Sequence, residues 1–328
     1  MARILTGLQS SGDPHIGNYF GMIKPALKLQ DMGKHECFYF IADLHSFTSN
    51  KDGKLFAQNQ KNCVLDWLAL GIDPEKSVFY RQSDIRAHTE MMWYLLCFTP
   101  MGLLERAHSF KDKKANGMET NVGLFTYPML MTADILLYDA EIIPVGKDQK
   151  QHVEMARDIA QKMNHHFNSE LFVLPEPQIE ELVQTIEGVD GQKMSKSYGN
   201  TIPIFGTEKE IKKKVMSIQT QTVKLGDPID PALCRVFAFH KLFENPNLVK
   251  LENQYRNGEI GFGDSKKQLF ELIWEYFASA RARRKKLEKD DAEIEKILRK
   301  GAEKAFCIAE MKLEKIRKKF GLEGKHLI

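Results

Sequence analysis

Cys37-Phe38-Tyr39-Phe40-Ile41-Ala42, closed by Asp43 and followed by His45, is the stretch that decides the fold class. Six apolar residues run without alternation, as a strand buried on both faces of a parallel sheet does. Upstream, residues 3 to 8 read as a short buried strand, a turn with Gly12 and Pro14 follows, and a helix is expected from about Ile16 to Gln30. Downstream, Phe56, Cys63, Val64, Trp67 and Leu68 recur at helical spacing, Ser77 to Tyr80 is a further strand, and Asp84 to Leu96 another helix. Strands that alternate with helices predict an α/β fold around a parallel sheet.

The alternation continues through a helix over Leu124 to Tyr138, a strand Ile142-Ile143-Pro144-Val145 closed by Gly146, and a polar helix over Asp148 to Phe167. Pro175 and Pro177 mark a connector, and residues 188 to 200 form a glycine- and lysine-rich loop. Beyond Thr201 to Phe205 the composition turns to long charged helical segments. A boundary is therefore expected near residue 200, with an α/β domain over 1–200 and a mostly helical domain over 201–328. The last helix carries an apolar stripe of Ile294, Ile297, Leu298, Ala302, Ala305, Ala309, Leu313 and Ile316, suited to packing on its own chain or on a second subunit.

The chain has 328 residues, 43% hydrophobic and 28% charged, which excludes a disordered or fibrous protein. No 18-residue apolar run occurs, and the N-terminus enters a strand without the h-region of a signal peptide. The five cysteines are odd in number and not closely paired, against a disulfide framework or a CxxC zinc site. These features predict no membrane association and a cytoplasmic location. His165 and His166 are adjacent and point to different helix sides, so no metal site is expected. Residues 281–328 hold 16 Lys/Arg against 9 Asp/Glu, and the remainder 31 against 35. This basic end, with its cluster from Arg281 to Lys286, fits either a solvated helix face or a polyanionic partner.

Three elements carry chemistry. The first, Gly7-Leu8-Gln9-Ser10-Ser11-Gly12-Asp13-Pro14-His15-Ile16-Gly17-Asn18, lies between the first strand and first helix, where glycines and helix N-terminal N–H groups can hold phosphate. Alone it also reads as an ordinary glycine-rich connection. The second is Lys193-Met194-Ser195-Lys196-Ser197, where two ammonium groups and serine hydroxyls on a loop form a clamp for a pyrophosphate leaving group. The third is a helix face. Tyr127, Met131, Asp134 and Tyr138 recur at four, three and four residues, which offers a flat aromatic ring a soft contact and one hydrogen-bond acceptor. The bland alternative is a core helix with a satisfied buried acid.

The first two elements resemble the His-Ile-Gly-His-like and Lys-Met-Ser-Lys-Ser signatures of class I aminoacyl-tRNA synthetases, which implies a Rossmann-like nucleotide-binding sheet with helices on both faces. The second signature is intact here. The first departs, with Asn18 in place of the last histidine, which keeps a hydrogen-bonding role and loses a cationic one. The Tyr127 to Tyr138 helix, followed by Ile143-Pro144-Val145-Gly146-Lys147-Asp148-Gln149-Lys150-Gln151-His152, resembles the bacterial-type tryptophanyl-tRNA synthetases. Tyrosyl enzymes carry Gln four residues after the Tyr, where this chain has Met131.

The resemblance implies ATP-dependent activation of L-tryptophan to tryptophanyl-adenylate and transfer to tRNA(Trp), releasing AMP and diphosphate. Asp134 is then expected to accept the indole N–H, Met131 to lie against the ring, and Tyr127 and Gln149 to hold the amino group. His45 and Leu5 complete the tryptophan pocket. Gln9, Ser10, Ser11, Gly17, Asn18, Gly146, Asp148, Gln149, Lys193, Met194, Ser195, Lys196 and Ser197 are expected at ATP. Catalytic roles fall to Lys193, Lys196, Lys113, Gln9 and His15, with Lys111 and Lys113 both candidates for the phosphates. Mg2+ is expected bound through ATP and pyrophosphate. The family further implies a homodimer and a helical domain that meets the tRNA anticodon region. Alternatives are a tyrosyl-tRNA synthetase-like ligase, disfavoured by Met131, a nucleotidyltransferase that does not use tRNA, and a non-enzymatic nucleic-acid-binding module. The nucleotidyltransferase leaves the Tyr127/Asp134 face and the helical second half unexplained, and the binding module leaves the two phosphate-binding elements unexplained.

Overall fold

In a computed structural model of the chain, the structure describes residues 1–8, 10, 12–48, 51–107, 121–146, 149–178, 186–224 and 226–322. Five parallel strands form one sheet in the order β3-β2-β1-β4-β5, with β1 Arg3–Leu8, β2 Glu36–Ile41, β3 Ser77–Arg81, β4 Ile142–Pro144 and β5 Glu176–Gln178. The first three strands are buried as their apolar runs require: Ile4, Phe38, Tyr39 and Tyr80 have no exposed surface. Arg3 faces Glu36 across β1 and β2 and Leu8 faces Ile41, so the two strands end in register. Residues that follow those C-terminal ends are therefore brought side by side.

β5 occupies the Pro175–Pro177 stretch expected to be a connector. It is an edge strand, where a sheet tolerates a proline that cannot donate to the ladder. The helix expected from Ile16 to Gln30 is broken into a single turn Ile16–Asn18, a π-turn Tyr19–Ile23, and α1 Lys24–Asp31.

Two compact units are present. The first comprises Met1–Gly12, Ala26–Glu181 and Asp290–Ile328, and the second Asp13–Pro25 and Leu182–Lys289. They do not follow the expected boundary near residue 200. Composition marks where long charged helices begin, but pairing decides membership. The Ile16 N–H donates to the Ile202 carbonyl at 3.0 Å and the Ile204 N–H to Pro14 at 3.3 Å, which ties residues 13–25 to the second unit.

In the sheet unit, α2 Gly53–Leu70 starts at Asp52, whose carboxylate accepts from the Lys54 and Leu55 N–H groups, and stops at Gly71 with φ 125°. α3 Ala87–Phe98, α4 Val122–Leu137 and α5 Lys150–His166 pack in sequence, α3 on α4 and α4 on α5. The last helix, α11 Asp291–Lys319 (numbered after those of the second unit), packs on β3, α3 and α4, burying Ile294, Leu298, Gly301, Ala305, Ala309, Leu313 and Ile316. Its stripe thus serves its own chain. A Cβ at Gly301 would lie 1.8 Å from the Phe79 carbonyl oxygen, so only glycine admits this approach of helix to strand backbone. Polar contacts fix the same helix. Arg317 makes a paired contact to Glu90 at 2.7 and 2.5 Å, and Glu90 also accepts from Tyr94 at 2.7 Å. Glu90 is thereby an anchor for α11.

In the second unit, α6 Glu208–Met216, α7 Arg235–Leu242, α8 Leu248–Arg256, α9 Phe262–Tyr276 and α10 Ala278–Leu287 form the helical part, with α6, α7 and α10 all packed on α9. α6 begins with a reciprocal cap between Thr207 and Glu210. Part of the basic cluster is structural: the Arg281 guanidinium sits 3.6 Å from the Trp274 ring centre and Arg284 lies over Phe205.

Candidate functional site

At the strand ends of the sheet unit, three segments converge on one carboxylate. Asp134, on α4, is 1% exposed. Its Oδ1 accepts from Gln82 Nε2 at 2.7 Å and His88 Nδ1 at 2.6 Å, and its Oδ2 from His45 Nε2 at 2.8 Å. Burial pushes this acid up, but the hydrogen bonds and charges of His45 and His88 more than offset it and hold its pKa at about 2. A carboxylate offers about four lone-pair positions, so the three donors found among the described residues leave one uncommitted. It lies on Oδ2, the oxygen beside partly exposed His45, since both partners of Oδ1 have no exposed surface.

A second buried acid aligns the segments that supply these donors. Asp43, directly after β2, accepts from the N–H and hydroxyl of Ser83, directly after Gln82, and from Gln60 and its neighbour Leu44. Burial raises the Asp43 pKa against the pull of those four donors. The turns after β2 and β3 are thereby pinned together, which places His45 and Gln82 around Asp134. Gln82 Oε1 is buried without a hydrogen-bond partner among the described residues.

Two turns earlier on α4, Tyr127 meets the His45 ring edge-on with centres 6.1 Å apart. Its hydroxyl is 3.2 Å from His152 Nε2, while His152 Nδ1 is 2.9 Å from Gln149 Oε1. His152 is a buried bridge between the two residues assigned to the amino group. Leu5 is buried, Met131 half-buried, and Gly146 accepts the Gln149 N–H at 3.0 Å. Ser10 is buried against the Ser46 hydroxyl at 3.0 Å.

The second unit carries the other two sequence elements. His15 caps the turn Ile16–Asn18: its Nδ1 accepts from the Asn18 N–H at 3.2 Å, while Asn18 Oδ1 accepts from the His15 N–H at 3.1 Å. Burial, then the charge of Lys196, lowers the His15 pKa to about 4, so the ring is neutral at pH 7. The reciprocal cap leaves His15 Nε2 and the Asn18 amide nitrogen outside its two hydrogen bonds. The Gly17 N–H points at Met194 Sδ at 3.3 Å, which joins the two signatures directly. Lys193 and Lys196 are exposed, and the Ser195 and Ser197 hydroxyls lie 2.9 Å apart.

Two residues absent from the sequence expectations hold this loop. Asn200, 2% exposed, accepts from the Ser195 N–H at 2.8 Å and donates to Asp190 at 2.8 Å and the Lys193 carbonyl at 3.0 Å. Arg235 bonds Glu187 at 3.1 Å and the Gln219 carbonyl at 2.8 Å, and a Cβ at Gly191 would strike its guanidinium. Gln9, Ser11, Lys111, Lys113 and Asp148 lie outside the described residues.

A parallel sheet that holds a charged acceptor at its strand ends, accompanied by a capped glycine turn in contact with a Lys-Met-Ser-Lys-Ser loop, is the equipment of a class I aminoacyl-tRNA synthetase. The family model "tRNA synthetases class I (W and Y)" matches residues 1–278. The tryptophan–tRNA ligase of Fusobacterium nucleatum is 47% identical over 326 residues, 99% of each chain, and that of Campylobacter jejuni 50% identical over 321 residues, 98% of this chain and 100% of the relative. The crystal structure of the Campylobacter jejuni tryptophanyl-tRNA synthetase complexed with ADP and tryptophan superimposes with a TM-score of 0.92 at 50% identity, covering 97% of this chain and 99% of that one. The chain belongs to the tryptophanyl-tRNA synthetases of bacterial type.

Proposed function

We propose that the protein activates L-tryptophan with ATP and transfers the tryptophanyl group to tRNA(Trp), releasing diphosphate and then AMP. The observation that carries this reading is the charged Asp134, buried yet with one acceptor position uncommitted, on the α4 face that also presents Tyr127 and Met131. An indole N–H fits that position, and a ring without a donor leaves it unpaired, a form of rejection worth about 10⁴–10⁵-fold where it operates.

Within this reading, Tyr127 and Gln149, oriented by His152, hold the substrate's ammonium group, while Met131, Leu5 and His45 line the ring. The tryptophan carboxylate, already ionised at pH 7, attacks the α-phosphorus of ATP, so no base is needed. The new bond is carboxylate oxygen to phosphorus, and the bond to the β-phosphate oxygen breaks. Lys193 and Lys196 take up the charge that grows on the leaving pyrophosphate, and the turn of His15, Gly17 and Asn18 holds the triphosphate through His15 Nε2–H and the Asn18 side-chain amide. Gln9, Ser10, Ser11, Gly146, Asp148, Met194, Ser195 and Ser197 share in ATP binding, and Lys113 assists at the phosphates. Bound through ATP and pyrophosphate rather than by a residue of the chain, Mg2+ would offset the phosphate charge. A terminal ribose hydroxyl of tRNA(Trp) then attacks the adenylate carbonyl and displaces AMP.

The active form is proposed to be a cytoplasmic homodimer whose helices beyond residue 201 meet the anticodon region of the tRNA. No helix among the described residues is long and apolar enough to cross a membrane. Amino-acid-dependent pyrophosphate exchange across the twenty amino acids, with matched tRNA charging, tests the whole reading. Exchange with tryptophan alone is expected, and exchange with tyrosine or with none overturns it.

A further inference from the structure

Asp134 Oδ1 is the buried end of a chain of polar groups that the proposed reaction leaves without a role. His88 has no exposed surface, and its Nδ1 lies 2.6 Å from Oδ1. Its other nitrogen, Nε2, lies 3.0 Å from the Tyr138 hydroxyl, and Tyr138 is also fully buried. Because the Asp134 carboxylate is charged and can only accept, Nδ1 carries the proton. Nε2 pairs with the Tyr138 hydroxyl, accepting from its O–H in a neutral ring and donating to its oxygen in a charged one. In either state the tyrosine fixes the tilt of the ring, and the ring fixes the carboxylate. Gln82 adds a second donor to the same oxygen. With Oδ1 saturated on the core side, rotation about the Asp134 side chain is blocked, and Oδ2 is the only oxygen left with capacity for a ligand.

We infer that His88, set by Tyr138, is a specificity-determining positioning residue: it presents Asp134 Oδ2 to the ring N–H of the amino acid while touching no substrate itself. This rests on the reading of Asp134 as the ring N–H acceptor and extends it to the residues that aim it. A ring donor at His88 that is lost or turned frees the carboxylate to rotate and to take a water, and the penalty for a substrate without an N–H then shrinks.

Two substitutions separate the two ring nitrogens. An asparagine amide can replace the Nδ1 donor but does not reach Tyr138, whereas a glutamine amide reaches the Nε2 position and abandons Asp134. The readout is the ratio of kcat/KM in pyrophosphate exchange for L-tryptophan over L-3-(benzothiophen-3-yl)alanine, which has sulfur in place of the ring N–H. His88→Gln is expected to lower that ratio about tenfold, the worth of one buried charged hydrogen bond. His88→Asn is expected to stay within about threefold of the unmodified protein, and Tyr138→Phe to fall between the two. An unchanged ratio in His88→Gln, or equal losses in His88→Gln and His88→Asn, overturns the inference, since packing alone does not distinguish them in this order. Should the His88 variants fail to fold, Tyr138→Phe decides, and a wild-type ratio there overturns it. Asp134→Ala separates the two levels. If it loses discrimination while His88→Gln keeps it, only the role of His88 falls, and if Asp134→Ala also keeps it, the pocket reading has failed first.

Discussion

The backbone N–H of Gly17 lies 3.3 Å from the thioether sulfur of Met194, 177 positions further along the chain. Two sequence elements that each read as loop are one packed object. A Cβ at Gly17 would come within 2.9 Å of His15 Nδ1 and 3.3 Å of the Met194 sulfur. Gly17→Ala is therefore expected to push the His15 ring out of its cap and the methionine out of contact. The adenylation rate should fall by about tenfold or more while tryptophan affinity stays unchanged, since a small misplacement at a reacting group costs rate. Pyrophosphate exchange beside a tryptophan binding titration checks this, and a weakened tryptophan affinity would count against it.

Lys196 is exposed and close enough to His15 for its charge to depress that ring. A cation that acts on a leaving group matters most when the charge develops. Lys196→Ala should lower the exchange rate by about 10²–10³-fold with little change in tryptophan binding. An undiminished rate would remove the clamp role from this lysine.

Acid sensitivity should come in two windows. His15 and His240 are buried neutral, each lowered from 6.5 to about 4, chiefly by burial. The unfolded chain takes up those protons first, so stability is complete above about pH 6.5 and declines as pH falls toward 4, at no more than about 1.4 kcal/mol per pH unit for each ring. Asp134 is depressed instead, so its contribution is present above its unfolded pKa and is lost as pH falls from about 4 through about 2. Urea midpoints measured from pH 4 to pH 7 should rise throughout, and His240→Gln should flatten part of that rise.

Gly301→Ala should destabilise the protein by about 1–3 kcal/mol or more, because the added carbon overlaps the Phe79 carbonyl and α11 must lift from β3. Equilibrium unfolding in urea measures this. A change within about 0.5 kcal/mol would mean the helix can slide to accommodate it.

The sheet was readable because its central strands are apolar throughout, and a run such as Cys37 to Ala42 has few other structural meanings. β5 was not, since Pro177 signals a break unless the strand is known to lie at an edge, and edges are set by tertiary order. Likewise Tyr127, Met131 and Asp134 share a face by helical spacing alone, whereas Gln82 and His88 reach Asp134 across 52 and 46 positions, for which local pattern holds no signal. His152 was within reach, three residues after Gln149 on one helix face, but its second partner Tyr127 is tertiary. Asn200 closes the lysine loop from a position that reads as an ordinary turn residue.

The seating of α11 on β3 also constrains how the molecule is born. β3 ends at Arg81, and the helix that rests on its backbone begins at Asp291. During synthesis the edge strand leaves the ribosome long before its companion helix exists, with unpaired backbone groups that invite association with other nascent chains. The sheet unit can reach its final form only after residues 291–319 have been made, which makes the docking of α11 the step on which a chaperone would have to wait.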